Sequence, residues 1–281
     1  MVEKPISLLM SAAATSALSA LLAQARKEDA SAAFIGTAGW SVPAEYKSGF
    51  SAAGTHLERY ATRLNAVEIN SSFYRPHRRE TYMRWARAVP STFRFAVKIP
   101  KTITHEQRLI GTEAQLERFV HEVSGLGAKL AVLLVQLPPS LAFDAIAVDG
   151  FFYALRMRLA ANVAVACEPR HRSWFSDDAD ALLRSHEVAR VAADPSRAAE
   201  DGEPGGWTGL NYYRLHGSPR IYYSNYDAVA LERLQRGIVA SRTRACATWC
   251  IFDNTAAFAA LGNALALGNA LDSNNPTRAC P

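Results

Sequence analysis

The chain has 281 residues, 49% of them hydrophobic, and a formal net charge of +5. This is enough to fill one large core, and the basic balance favours an anionic partner. No dense Lys/Arg block establishes nucleic-acid binding, and no segment reads as a membrane span. The cysteines Cys167, Cys246, Cys250 and Cys280 contain no CxxC pair. They read as free thiols of a reducing, cytoplasmic compartment, with no zinc knuckle and no disulfide.

Residues 1–33 are rich in Ala and Leu. Glu3 beside Lys4 leaves their start without net side-chain charge, and Ser and Thr interrupt the apolar stretch. An N-terminal helical extension is expected there, with a targeting segment as the alternative. Eight short apolar runs then follow, at residues 34–40, 66–70, 93–99, 130–137, 163–168, 188–194, 212–216 and 248–254. Segments of helical periodicity separate most of them, at 54–64, 79–89, 112–126, 148–159, 177–185, 227–240 and 255–271. Thr112 with Gln115 has capping-box spacing, and Ser176 before two aspartates marks another helix start. Residues 75–79 and 195–209 read as loops, and 272–281 as a flexible tail. Strand and helix alternating eight times predict a single α/β domain at 34–271, a (β/α)8 barrel of the TIM type.

Side-chain parity sharpens this expectation, because successive strand residues face opposite sides. Glu68 and Asn70 share one face, with Val67 and Ile69 on the other. Lys98 alternates with Val97, Glu168 with Cys167, and Arg214 and His216 with Leu215. Glu68, Lys98, Glu168 and Arg214 are therefore expected to converge at the C-terminal ends of four strands, where such barrels build their sites. Gln136, Asp253 and Asn254 end two further strands.

The residue types suggest roles. Glu68 and Glu168 can act as acid and base, and His171 or His216 as proton carriers. Lys98 suits an anion contact, a desolvated base or a Schiff-base amine, with no sequence feature choosing among them. Arg170 and Arg214 suit bidentate anion recognition. Trp40, Asn70, Tyr74, His105, Gln136, Trp174, Asp253 and Asn254 complete the substrate-binding set, although Asp253 and Asn254 equally suit a helix cap. Arg214→Lys is expected to weaken binding while leaving the melting temperature nearly unchanged.

In order, Gly39-Trp40-Ser41, Val67-Glu68-Ile69-Asn70, Ser72-Phe73-Tyr74, Phe95-Ala96-Val97-Lys98, Thr104-His105, Gln136-Leu137-Pro138-Pro139, Glu168-Pro169-Arg170-His171, Ser173-Trp174, Arg214-Leu215-His216-Gly217 and Phe252-Asp253-Asn254 resemble the YecE-like family, domain of unknown function 72. The resemblance implies a TIM barrel and brings no established reaction. The residues themselves lead to an enzyme, a hydrolase or lyase, acting on a small anionic substrate that bears a phosphate or a carboxylate. The alternative is a nucleic-acid-binding or nucleic-acid-processing barrel in the outline of an apurinic endonuclease, a fold-level analogy only. No motif specifies a cofactor. The carboxylates and histidines offer metal ligands, but three cationic neighbours compete for the carboxylates, so no metal site is expected.

Overall fold

The computed structural model describes residues 33–196, 202–242 and 246–273. The expected N-terminal extension lies outside the described residues, Ala33 apart. So does the expected tail, except Asp272 and Ser273, which end the last helix instead.

The strands are β1 (Ala33–Thr37), β2 (Ala66–Ile69), β3 (Arg94–Lys98), β4 (Leu130–Gln136), β5 (Ala164–Glu168), β6 (Val188–Arg190), β7 (Ala192–Asp194), β8 (Gly205–Gly206), β9 (Leu210–Leu215) and β10 (Ala247–Phe252). The helices are α1 (His56–Tyr60), α2 (Ser71–Tyr74), α3 (Arg79–Arg87), α4 (Glu113–Val123), α5 (Ala145–Arg156), α6 (Asp177–Ser185), α7 (Ala228–Arg242) and α8 (Ala259–Ser273). The ladders form two sheets, ordered β1-β10-β9-β7 and β2-β3-β4-β5-β6-β8. All pairings are parallel except β6 with β8. The structure thus establishes a mixed α/β fold with parallel sheets, whose hydrogen-bonded ladders run in two sections.

The two breaks in the ladder have physical causes. Between β1 and β2, side chains occupy the backbone donors of β1. Ile35 N–H donates to Asn65 Oδ1 (2.9 Å) and Thr37 N–H to the Tyr60 hydroxyl (2.9 Å). Asn65 Nδ2 and the Tyr60 hydroxyl then donate to the carbonyls of Ala33 and Ala66. Just past β1, an isolated backbone bridge pairs Ala38 with Glu68 of β2, and Gly39 N–H donates to Glu68 O (2.9 Å). The expected sixth strand divides at Val191, whose N–H donates to Cys167 O (2.8 Å). β6 pairs with β5, while β7 pairs with β9.

The expected parity appears as two apolar layers. Val67, Ile69, Phe95, Val97, Val165 and Cys167 pack with residues from the helices. Ala66, Ala96, Ala166, Val132 and Leu134 line the other face with Phe34, Tyr212 and Trp249. The small alanines leave room there for Trp249, which stacks on Tyr212 (5.9 Å between centroids) and Phe34 (5.0 Å). Cys167 and Cys250 are buried thiols, Cys246 is buried with its Sγ donating to Thr208 O (3.1 Å), and Cys280 lies outside the described residues. No helix among the described residues is long and apolar enough to cross a membrane.

Local signals explain half of the helix starts, with one correction. Ser176 caps α6 by accepting from Ala179 N–H (3.3 Å). Thr112 makes no side-chain cap bond, because its backbone (φ −101°, ψ 5°) lacks the extended conformation of an N-cap. The capping box forms instead at Thr55 and Glu58. Within the expected loop at 195–209, Gly205–Gly206 add an antiparallel strand to β6.

A Cβ at Gly36 would overlap the Ala66 carbonyl, so glycine permits the close approach of β1 to β2. Gly36→Ala should cost about 1–3 kcal/mol, as overpacking does. An equilibrium urea titration should give a lower midpoint at unchanged slope.

Candidate functional site

Arg214, near the end of β9, is fully buried and organises the C-terminal strand ends. Its Nε and Nη2 donate to the two carboxylate oxygens of Glu68 (3.0 and 2.7 Å). Nη2 also reaches Asp253 Oδ2 (3.1 Å), and Nη1 reaches Glu168 Oε2 (2.6 Å) and Gln136 Oε1 (3.4 Å). A guanidinium has five N–H donors, and these five contacts use them. Arg214 therefore holds carboxylates, with no donor left for the ligand contact expected from the sequence.

The network extends outward. The Tyr212 hydroxyl donates to Glu68 Oε2 (2.8 Å). Arg170 Nε and Nη2 engage Glu168 Oε1 (2.9 and 2.8 Å). His216 Nδ1 bonds Asp253 Oδ2 (3.0 Å). Its Nε2 lies 3.3 Å from Glu168 Oε1, near enough for ion pairing but outside hydrogen-bond alignment.

Lys98, the last residue of β3, is buried too, but differently. Its ammonium sits over the Phe73 ring, 3.9 Å from the centroid. Ser72, beside Phe73 on α2, donates its hydroxyl to the Lys98 carbonyl (2.7 Å) and so fixes the backbone. Among the described residues no carboxylate lies within ion-pairing distance of Nζ. The His105 ring meets Phe73 edge-on (5.0 Å), and His105 Nδ1 lies 2.9 Å from Thr104 Oγ1.

Charges in this cluster set its protonation. Burial raises the Glu168 carboxyl, but Arg214, His216 and Arg170 outweigh it and hold the group well below 4.5. Asp253 is lowered likewise, burial being overcome by Arg214, His216 and Lys98. Burial lowers His216, yet Glu168 and Asp253 raise it above 6.5. Lys98 falls from 10.5 to about 8 through burial and Arg214, against the pull of Glu68, Glu168 and Asp253. His105 is lowered by burial and by the charges of Lys98 and Arg170, which favours its neutral form.

The structure thus brings together Glu68, Lys98, Gln136, Glu168, Arg170, Arg214, His216 and Asp253, with His105 at the edge. Other residues in the expected set lie elsewhere. Trp174 is fully buried, and its indole N–H donates to Leu141 O (2.9 Å), so it is a core residue. His171 caps the turn at Arg172–Trp174 through Ser173. Asn254 is buried and pins Ser224 O and Asn263 Oδ1 (2.9 Å each). Asp253 holds Arg214 and His216, so neither residue caps the last helix, which begins only at Ala259. Tyr74 is 72% exposed beside Phe73. Trp40 and Asn70 line a separate open groove with Gly39, Ser41, His56 and Ser71. Sequence reasoning missed Tyr212 and Phe73. The parity of Tyr212 with Arg214 was the available signal for the first, and the place of Phe73 in the Ser72-Phe73-Tyr74 motif for the second.

A two-sheet α/β fold with a polar cluster at its parallel strand ends defines the class. The chain matches the family model described as "Protein of unknown function DUF72" over residues 34–281, and it belongs to that family. It is 32% identical over 105 residues to the UPF0759 protein YecE of Escherichia coli K12, covering 37% of each chain. It is 28% identical over 149 residues to the UPF0759 protein YunF of Bacillus subtilis, covering 51% of this chain and 52% of that one. These matches thus span between about a third and a half of the curated relatives. Among solved structures, a DUF72 family protein from Enterococcus faecalis superposes with a TM-score of 0.72 at 21% identity, over 86% of this chain and 96% of that one. One from Thermotoga maritima gives 0.69 at 23%, over 85% and 99%. At these identities the likeness carries the fold alone.

Two outcomes follow from this geometry. Arg214→Lys should destabilise the protein by about 3–5 kcal/mol, because three buried carboxylates lose their shared partner. Thermal denaturation should therefore show a large drop, opposite to the expectation from sequence. In acid, Glu168 and Asp253 have folded values below their unfolded ones. Their stabilisation is present above about pH 4.5 and lost as pH falls through the folded values. His216 has the opposite sign. Its stabilisation is complete below 6.5 and is lost as pH rises through its higher folded value. Urea midpoints measured across pH should fall in acid, and in Lys98→Met, where no lysine titrates at that place, they should also fall as pH rises through the His216 value, a loss that the further change His216→Gln removes.

Proposed function

We propose that this protein is an enzyme of the hydrolase or lyase class that takes a small anionic substrate at the C-terminal strand ends. The observation that carries this reading is Lys98, a buried ammonium without an ion-paired carboxylate beside a network in which Arg214 and Arg170 are both paired. Glu68, Glu168 and Asp253 face Arg214, Arg170 and Lys98, so protonated His216 leaves one excess positive charge. A bound anion would cancel it. Lys98 and the outer edge of Arg170 would hold the substrate, with Glu168, His216 and Asp253 as the proton-transfer group. Charge gathered in a buried cluster supports an enzyme over a nucleic-acid surface.

A single (β/α)8 barrel around the cluster belongs to the same proposal. It is supported by the Ala38–Glu68 bridge and by the run at 188–194, which passes from one sheet to the other. Closure would bring the ends of β2, β3, β5 and β9 around one mouth.

Lys98 also costs the fold stability. A fall from 10.5 to about 8 corresponds to roughly 3 kcal/mol when the amine is charged. Lys98→Met should therefore raise the melting temperature at neutral pH by several degrees. Inorganic phosphate should stabilise the wild type in thermal shift measurements, less so as pH rises through about 8, and should not stabilise Lys98→Met. The reading fails if phosphate, sulfate and malonate all leave the wild-type transition unmoved.

A further inference from the structure

We propose that Lys98 is an imine-forming amine, and that the anionic substrate carries a carbonyl beside its carboxylate, as a 2-oxo acid does. This deepens the preceding proposal and rests on its anionic site. Four features of the geometry lead to it. Nζ is buried at a strand end and free of the carboxylate contacts that would hold it as an ammonium. It lies against an aromatic face, which tolerates both the cation and the neutral amine or imine. Ser72 fixes its backbone from α2. Proton carriers stand in the adjoining network, where His216 and Asp253 share a hydrogen bond.

Arg170 supplies the partner for the substrate carboxylate. Its Nε and Nη2 are held by Glu168, and Nη1 has no partner among the described residues. His105 feels the charges of both Lys98 and Arg170. Thr104 Oγ1 donates to Pro100 O (3.4 Å), so it is free to accept from His105 Nδ1–H. In that tautomer Nε2 carries the lone pair and can take a proton from the bound substrate.

The step balances without a co-reactant. The neutral Lys98 amine attacks the carbonyl carbon, forming a C–N bond while the carbonyl π pair moves to oxygen. That oxygen takes a proton, and the nitrogen gives one up to the network. The resulting carbinolamine loses its hydroxyl as water after a second proton transfer, leaving the imine. The protonated imine draws electrons from the neighbouring carbon, as lyase chemistry requires. The depressed basicity of Lys98 supplies neutral amine near neutral pH.

The test uses the wild-type chain with glyoxylate, followed by sodium borohydride, and maps carboxymethylated lysines by peptide mass spectrometry. Labelling of Lys98 should exceed that of exposed Lys47 by about tenfold or more at neutral pH, since an ordinary lysine is almost wholly protonated there. It should rise as pH increases through about 8. Lys98→Arg should lose the label and keep stabilisation by phosphate. Labelling of Lys98 no faster than that of Lys47 overturns the imine proposal. The phosphate arm then separates the two readings. If phosphate, sulfate or malonate still stabilises the wild type, the anion site stands without the imine, and if none does, both fall. The wild-type labelling decides the matter even where the variant fails to fold.

Discussion

One buried guanidinium fixes the arrangement of the strand ends. Glu68, Glu168 and Asp253 come from β2, β5 and the residue after β10, and without a shared cation they would repel one another in a poorly solvated interior. Arg214 meets all three and Gln136 as well. The planar fork of arginine makes this possible, whereas a lysine offers one point charge and three donors. Ion pairs so deeply buried are not a large net gain over apolar packing. Their weight lies in geometry, because any shift of a strand end strands a charge without its partner.

That saturation determines what remains for chemistry. With Arg214 occupied and Arg170 held along one edge, the open electrostatic question at the strand ends is Lys98. Repulsion from Arg214 and burial together weaken its hold on a proton, and the carboxylates oppose them from beyond ion-pairing distance. The structural network and the candidate reactive group are therefore coupled. Loosening Arg214 would alter the lysine without touching it.

The sequence made the convergence legible, because alternation alone assigns Glu68, Lys98, Glu168 and Arg214 to one side of their strands. It could not assign their roles. Arg170 and Arg214 look alike as text, yet among the described residues one keeps an unpartnered nitrogen and the other keeps none, a distinction set by Arg214 contacts 39 to 146 residues apart. Trp174 looked like a stacking surface because its partner, the Leu141 carbonyl, is 33 residues away. The ladder breaks were hidden for the same reason, since Asn65 and Tyr60 replace backbone partners through side chains no periodicity reports. Gly205–Gly206 form a strand without any strand-like residue, their pairing decided by β6.

Residue identity distinguishes the two buried cations by what each must do. At position 214 arginine answers a structural demand, five acceptors converging on one planar group. At position 98 no such demand exists. A methionine would fill the space beside Phe73 without desolvating a charge, and an arginine would keep its proton at any ordinary pH. Lysine alone of these can exist as cation or neutral amine in that place. The fold explains why Arg214 is arginine. At position 98 the fold asks only for positive charge near Glu68, Glu168 and Asp253, and the proposed anion site would explain why that charge is a lysine.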